Sequence, residues 1–458
     1  MLERQAKAKR FRLAVFPLSA ILLSLQLSAC ASYRAHPIDP DASARRLVAK
    51  SLKDPRLLRF IAAEEKRRGD VPRWNIETLA LVALYERPQM PVAKAELAFA
   101  QGGELTAKEL PNPTLSLLPT YNTTTGFPSP WKVGPIVTFL IDSYGARPAR
   151  IARARARVAA AREALSVAAW KLRGSVAGAL IPLWGARRRL LLAKKAYALA
   201  REYRAALEAR YRAGMVSAAS VNLATVAESR AAIARAAARR TLRLDRSALA
   251  AALGLPQKAL KGVRLDWSGF DHPRPLSPLA PLIHIALTGR PDLLVALSRY
   301  AAAQAALRLA IARQYPSFDI GPGYHYDQGD NKFILAVSLP LPILNQNQGP
   351  IAAARAARGL AALRFLAVQG KVLAEIDHAT TDWRASKAER GSARRLENAA
   401  REAALRAHTA FAAGAIGRLR LLGAETALVE AQEGSLSAAI DERGALADLE
   451  AALYHRFL

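Results

Sequence analysis

The stretch that decides the fold is SFDIGPGYHY, DQGDN, KFILAVSLPL, running from Ser317 to Leu341. Phe318, Ile320, Tyr324 and Tyr326 alternate with Ser317, Asp319, Gly321, Gly323 and His325. After a turn at Asp327 to Asn331, residues Phe333, Leu335, Val337, Leu339 and Leu341 face one way; Lys332, Ala336 and Ser338 face the other. Period two, with one greasy face and one small or polar face, predicts a β-hairpin. Strands of about ten residues patterned this way suit a barrel wall between lipid and water. An amphipathic hairpin on a soluble core has the same pattern and is the alternative. Pro322 and Pro340 weigh against strand, because proline removes a ladder donor.

The same pattern stands about 200 residues earlier in the chain. Pro113, Leu115, Leu117, Pro119 and Tyr121 share a face opposite Thr114, Ser116, Thr120 and Asn122. A Thr-, Gly- and Pro-rich turn follows from Asn122 to Pro130, and Trp131, Val133, Val137, Phe139 and Ile141 resume the apolar side. Other segments recur at nearly the same offset. Arg87-Pro88 returns as Arg290-Pro291, and Ile151-Ala152 with Arg155-Ala156 as Ile351-Ala352 with Arg355-Ala356. Tyr211-Arg212-Ala213-Gly214 returns as Phe411-Ala412-Ala413-Gly414. One such pair could be chance; all of them in order indicate duplication of a whole structural unit.

Each hairpin leads into a long Ala-, Leu- and Arg-rich run with few breakers, Ala149–Ala213 and Ile351–Ala413. Continuous helix of that length would reach about 100 Å. Gly214 and Gly414 can take the left-handed conformation that stops a helix. Returning helices are then expected at about Ala218–Leu253 and Leu419–Phe457. Residues 30–110 read as a membrane-anchored segment and first helices, with helix over Ser43–Gln101 broken near Gly69–Pro72. The organisation is then hairpin (111–142), long helical hairpin (143–254), Pro- and Gly-punctuated linker (255–281), helix (282–315), hairpin (316–344) and long helical hairpin (345–458).

The front end sets the compartment. Residues 1–29 have a basic start (Arg4, Lys7, Lys9, Arg10, Arg12) and an apolar run from Leu13 to Leu27, the form of a secretory signal. Leu27-Ser28-Ala29-Cys30 has the form of a lipobox, with cleavage between Ala29 and Cys30 and acylation of Cys30. Ala31 rather than Asp then favours the outer membrane. An uncleaved anchor is the alternative, but the run is short for a span and holds Pro17. Cys30 is the only cysteine, so disulfides and Cys-based metal sites are excluded.

The chain carries a formal charge of +30. Removing residues 1–29 takes away five basic residues and Glu3, leaving about +26. Nucleic acid is disfavoured by the export signal and by arginines spread along helices. Solvated helix faces or contact with lipid phosphates remain. No catalytic constellation is present, and His325, His378 and His408 are scattered. No metal site or cofactor is expected.

Four strands cannot close a barrel alone, because their unpaired edges would be left unsatisfied in hydrocarbon. Three chains would supply twelve strands around a water-filled lumen. The expected fold is therefore mainly α with a small β part: a trimeric α-helical barrel below a 12-stranded outer-membrane β-barrel, four strands per chain.

These features resemble the TolC family of outer-membrane efflux factors over nearly the whole mature chain. The most specific segments are Tyr211-Arg212-Ala213-Gly214-Met215-Val216-Ser217, Ala310 to Pro316, Gly321 to Lys332 and Ser338 to Pro350. The later ones look most like the cation and heavy-metal efflux branch, which works with resistance-nodulation-division pumps. The resemblance implies a homotrimeric exit duct in the outer membrane, docked at its periplasmic tips by an adaptor protein and fed by an inner-membrane pump. It would pass metal cations; the alternatives are a duct for drugs or other small organic molecules, or a non-channel structural periplasmic helical lipoprotein. Gly214, Ser217, Asn222, Gly414 and Arg418 are the candidate tip contacts. At the second tip Phe411-Ala412-Ala413-Gly414 lacks the basic residue, which departs from the family's usual form. Tyr121, Trp131, Tyr324 and Tyr326 are the candidate membrane-interface aromatics.

Overall fold

The computed structural model describes residues 33–65, 72–124, 126–271 and 278–457. The signal segment and Cys30 lie outside the described residues, so their expected roles are carried by the sequence alone. Residues up to Ala49 form a unit of their own, with helix α1 (Pro40–Ala49) starting where the Asp39 carboxylate accepts two backbone N–H bonds.

Three helices open the larger unit. Helix α2 (Pro55–Glu64) starts at Asp54, whose side chain accepts from Arg56 N at 2.7 Å, with Pro55 at the first helical position. Helix α3 (Ile76–Glu86) starts at Asn75, which accepts from Thr78 N at 2.9 Å. Helix α4 (Gln89–Lys108) runs straight through Gly102 and Gly103. The expected break near Gly69 falls mostly outside the described residues; among those described, the helix is broken at Lys50–Asp54 and Arg87–Pro88, and it continues beyond Gln101.

The two long helices are α5 (Ala146–Arg212, 67 residues) and, later, α10 (Gln348–Ala412, 65 residues), each about 100 Å at 1.5 Å per residue. Their return helices are α6 (Ala218–Leu253) and α11 (Arg418–Leu453). Between them come the short α7 (Ser268–Asp271), then α8 (Leu279–Gly289) and α9 (Pro291–Ala312).

Two cores sit at the middle of the long helices. One gathers Leu57, Ile61, Leu79, Val82, Val176, Leu180, Trp184, Leu249, Leu253 and Leu260. The other gathers Leu293, Val372, Ile376, Leu446, Leu449 and Leu453. Each fully buried leucine contributes about 2 kcal/mol. The two Arg-Pro pairs occupy matching places beside these cores. Arg87 Nη1 donates to Ala251 O at 2.6 Å, and Arg290 Nη1 to Ala452 O at 2.8 Å. Arg290 satisfies a carbonyl that the end of α11 leaves without a backbone partner, whereas Ala251 O at the end of α6 also accepts from Gly254 N at 3.0 Å.

The sheet is antiparallel. Strands β1 (Thr114–Leu117) and β2 (Thr120–Tyr121) are one strand interrupted at Leu118–Pro119. Strands β3 (Trp131–Val133) and β4 (Pro135–Ile141) are another, interrupted at Gly134. The register does not slip across either break: Thr114 faces Thr138, and Tyr121 faces Trp131. Strand β5 (Phe318–Asp327) pairs with β3 and β4 on one side and with β6 (Asp330–Ser338) on the other. The two hairpins thus join into one four-stranded wall. The second turn is tighter than expected, since only Gln328 (φ 54°) and Gly329 (φ 123°) lie between strands. Positive φ at both central residues matches the right-handed twist of a two-residue hairpin.

Candidate wall strands and helical tips

The apolar face of the sheet is exposed. Phe333 is 87% accessible and Leu341 70%, while Leu115, Leu117, Phe139, Leu335 and Val337 are also exposed. Tyr121 and Trp131 are cross-strand neighbours in edge contact, ring centroids 4.9 Å apart. Tyr324 leans on Phe333 at 5.5 Å, and its hydroxyl bonds Asn331 Oδ1. Tyr326 stands opposite Val133. All four candidate aromatics therefore cluster toward the hairpin turns, at one end of the wall. At the other end, where strands meet helices, Tyr144 (91% accessible) and Tyr315 (64%) are exposed. Sequence reasoning missed these two because they flank the alternating runs instead of taking part in them.

The opposite face is less polar than the alternation implied. Ile136 and Ile334 pack on either side of Gly323, with Thr138 beside them over Gly321. Toward the turns, Lys332 Nζ lies 2.8 Å from Asp327 Oδ2, with Lys132 Nζ 3.9 Å from the same oxygen. Gly134 is required by contact: a Cβ there would stand 1.8 Å from the Tyr324 carbonyl oxygen.

At the far ends of the helices the two tips share one backbone. Gly214 (φ +72°) and Gly414 (φ +71°) both adopt the left-handed conformation. Met215 N donates to Arg210 O at 2.9 Å, and Ala415 N to Ala410 O at 2.8 Å, the six-to-one bond of a Schellman turn. The side chains differ. Ser217 accepts from Ser220 N at the start of α6. Gly417, in the matching place before α11, supplies no side-chain cap. Asn222 is exposed on the first turn of the return helix. Arg418 is not free: its Nε donates to Glu202 Oε1 of the first long helix at 2.8 Å, and its guanidinium lies 5.6 Å from the Phe411 ring centre. The second tip is thereby tied to the first hairpin. No sequence signal marked this contact, which links residues far apart in the chain.

The family model for outer membrane efflux proteins matches residues 79–255 and again residues 282–454, more than half of the chain. The chain belongs to the outer membrane efflux protein family. The two matched blocks of this efflux family lie on either side of the linker that contains α7. A cobalt-zinc-cadmium resistance protein, CzcC of Cupriavidus metallidurans, is 26% identical over 369 residues, covering 78% of this chain and 84% of that protein. Solved structures share the fold, among them an outer membrane protein. VceC of Vibrio cholerae has a TM-score of 0.68 at 21% identity, covering 84% of this chain and 97% of that one. CusC has a TM-score of 0.64 at 17% identity, covering 93% and 99%. As an outer membrane efflux protein, the chain is mainly helical with a small sheet, as its composition and periodicity indicate. Among the described residues, no group of three or more His, Cys, Asp or Glu is arranged to hold a metal ion.

Proposed function

We propose that three copies of this chain close into an outer-membrane exit duct that passes divalent metal cations from a periplasmic adaptor and an inner-membrane pump. The observation that carries this reading is that the wall is unfinished at both levels. In the sheet, among the described residues, β1 pairs only with β4 and β6 only with β5, so each outer edge presents a row of unpaired N–H and C=O groups. In hydrocarbon each such group costs several kcal/mol. Among the helices, α6 packs chiefly on α5 and leaves Leu223, Ile233 and Leu244 exposed. The second long helix likewise leaves Leu363, Leu396 and Leu405 exposed. Joining one copy's free margins to the next copy's covers both sets at once. Twelve strands result, around a bore lined by the smaller and more polar sheet face.

Duplication supports the same picture. The matching Arg87 and Arg290 bonds, the twin Gly turns and the double family match fit two copies of one ancestral unit per chain. Three chains then give six similar helical pairs around the bore. The chain would be anchored by acylated Cys30 and met by the adaptor at Gly214, Ser217, Asn222 and Gly414. Arg418 would leave Glu202 when the tips spread. Metal cargo is supported by the likeness to a cobalt-zinc-cadmium resistance protein. The chain itself would only conduct, and selection would lie with the pump.

Two measurements test this. A chain carrying Leu115→Cys and Val337→Cys, treated with a short thiol cross-linker in membranes, should yield covalent species up to the trimer. Only monomer would reject closure by sister copies. Deleting the gene should lower tolerance to zinc, cobalt or cadmium. Unchanged metal tolerance with new sensitivity to organic drugs would replace the cargo.

A further inference from the structure

A basic cleft of ≈ 1250 Å³ lies beside the first core, walled by α2 on one side and by residues 258–266 of the linker on the other. Both walls belong to the first core, where Leu57 and Ile61 of α2 gather with Leu260, and Trp74, which also lines the cleft, is tied to the linker. Trp74 and Leu265 form a parallel bridge, and Asp266 N donates to Trp74 O at 3.0 Å. The cleft is therefore a formed feature rather than a gap between loose segments.

Among the described residues its positive charge is in excess of its carboxylates. Lys53, Arg59, Lys258, Lys261 and Arg264 line it, and none makes an ion pair among the described residues. Arg59 Nε donates only to Pro55 O of its own helix, at 3.3 Å. The two carboxylates nearby are already engaged. Glu65 accepts from Thr78 Oγ1 at 2.7 Å. Asp266 accepts from Ser268 N at 3.0 Å, and that bond together with Arg73 holds its carboxyl below the usual range. Buried arginines elsewhere at this level, Arg173 and Arg290, are paired with carboxylates, so the cleft is an exception. Between the cations stands the half-buried Trp74, with Leu52, Ile61 and Val263 as further apolar wall.

Position narrows the ligand. Trp74 lies near Glu77, which pairs with Arg173 on the first long helix. That arginine is about 40 Å along the helix from the base of the sheet, at 1.5 Å per residue. A lipid headgroup at the membrane surface does not reach so far. The partner must bring several carboxylates to separated cations and a flat apolar face to an indole. We propose that this cleft binds acidic glycopeptide of the cell-wall type, amino sugars carrying short peptides that end in free carboxylates, and so fastens the duct to the wall between the membranes. The proposal rests on the outer-membrane reading above.

The test uses full-length protein in detergent, titrated calorimetrically with a soluble disaccharide–tetrapeptide at about 150 mM salt, where only close charge pairs persist. Parallel titrations use the same compound with its carboxylates amidated, and heparin. The native chain should bind the acidic compound, and amidation should weaken binding at least tenfold. Arg59→Gln with Lys261→Gln should weaken it at least tenfold, and Trp74→Leu severalfold, with the melting temperature unchanged for the charge pair. No binding by the native chain, equal binding of the amidated compound, heparin bound as tightly, or unaffected variants would each overturn the proposal. Planar-bilayer conductance of the same preparations reads the duct separately. A conducting chain that ignores glycopeptide defeats only the cleft, and a silent chain that binds it defeats the duct.

Discussion

The first and second halves of the chain share a skeleton and differ in what surrounds it. Arg87 and Arg290 donate to the same kind of helix-end carbonyl, yet Arg87 is partly exposed while Arg290 is buried, paired with Asp292 at 2.7 Å and Glu375 at 2.9 Å. Gly214 and Gly414 make the same turn, yet Ser217 caps the first return helix and nothing caps the second. The first hairpin has broken strands and a long turn; the second has continuous strands and a two-residue turn. Residues that satisfy backbone groups are alike in both halves, and residues that touch neighbouring elements diverge. Backbone needs are set by the element itself, whereas side-chain surroundings depend on what lies alongside.

The largest expected effect is at the strand break unique to the first hairpin. Gly134→Val would drive a side chain into the Tyr324 carbonyl, separate the two hairpins and abolish heat-stable oligomers on electrophoresis. A normal oligomer yield would show that the wall tolerates a gap there. Next comes the contrast between the two arginines. Arg290→Ala leaves the Ala452 carbonyl and two half-exposed carboxylates without their cation and should cost about 1–3 kcal/mol. Arg87→Ala loses a more accessible bond, about 1 kcal/mol. Thermal melting followed by circular dichroism compares them, and equal losses would erase the asymmetry.

Smaller effects belong to the tips. Gly214→Val and Gly414→Val each force a branched residue into left-handed backbone, at roughly 1–2 kcal/mol. Oligomers should persist while export falls, more for the first tip if the adaptor reads Ser217 and Asn222. Unimpaired export in both variants would remove the tips from the docking surface. Least costly is Glu202→Gln, which loosens a partly exposed ion pair worth about 0–1 kcal/mol. Stability should hardly change while bilayer conductance rises, and flat conductance would mean that Arg418 does not hold the second tip shut.

Much of this architecture was legible because it follows from periodicity and from residues with few conformational options. The alternation at Phe318–Tyr326 gives a strand, and the glycines at 214 and 414 stand where the long helices stop. Length and alanine content identify the long helices, and their cores lie where large apolar residues collect. The remainder depends on contacts that no local pattern carries. Arg418 reaching Glu202, Trp170 stacked on Tyr454 at 5.0 Å, and Ile136 beside Gly323 join segments set side by side only by the completed fold. Helix α4 passes through Gly102-Gly103 because packing against α5 outweighs the weak local preference of two glycines, about 1 kcal/mol each. Tyr144 and Tyr315 went unnoticed for a related reason: their place at the rim is set by the junction of two elements.

The free margins of β1 and β6 also have a kinetic consequence. Under the proposed closure by sister copies, the yield of finished ducts depends steeply on how many newly exported chains meet before aggregation removes them. Halving synthesis should therefore cut the number of working ducts by more than half, a dosage threshold built into the open ends of a ribbon.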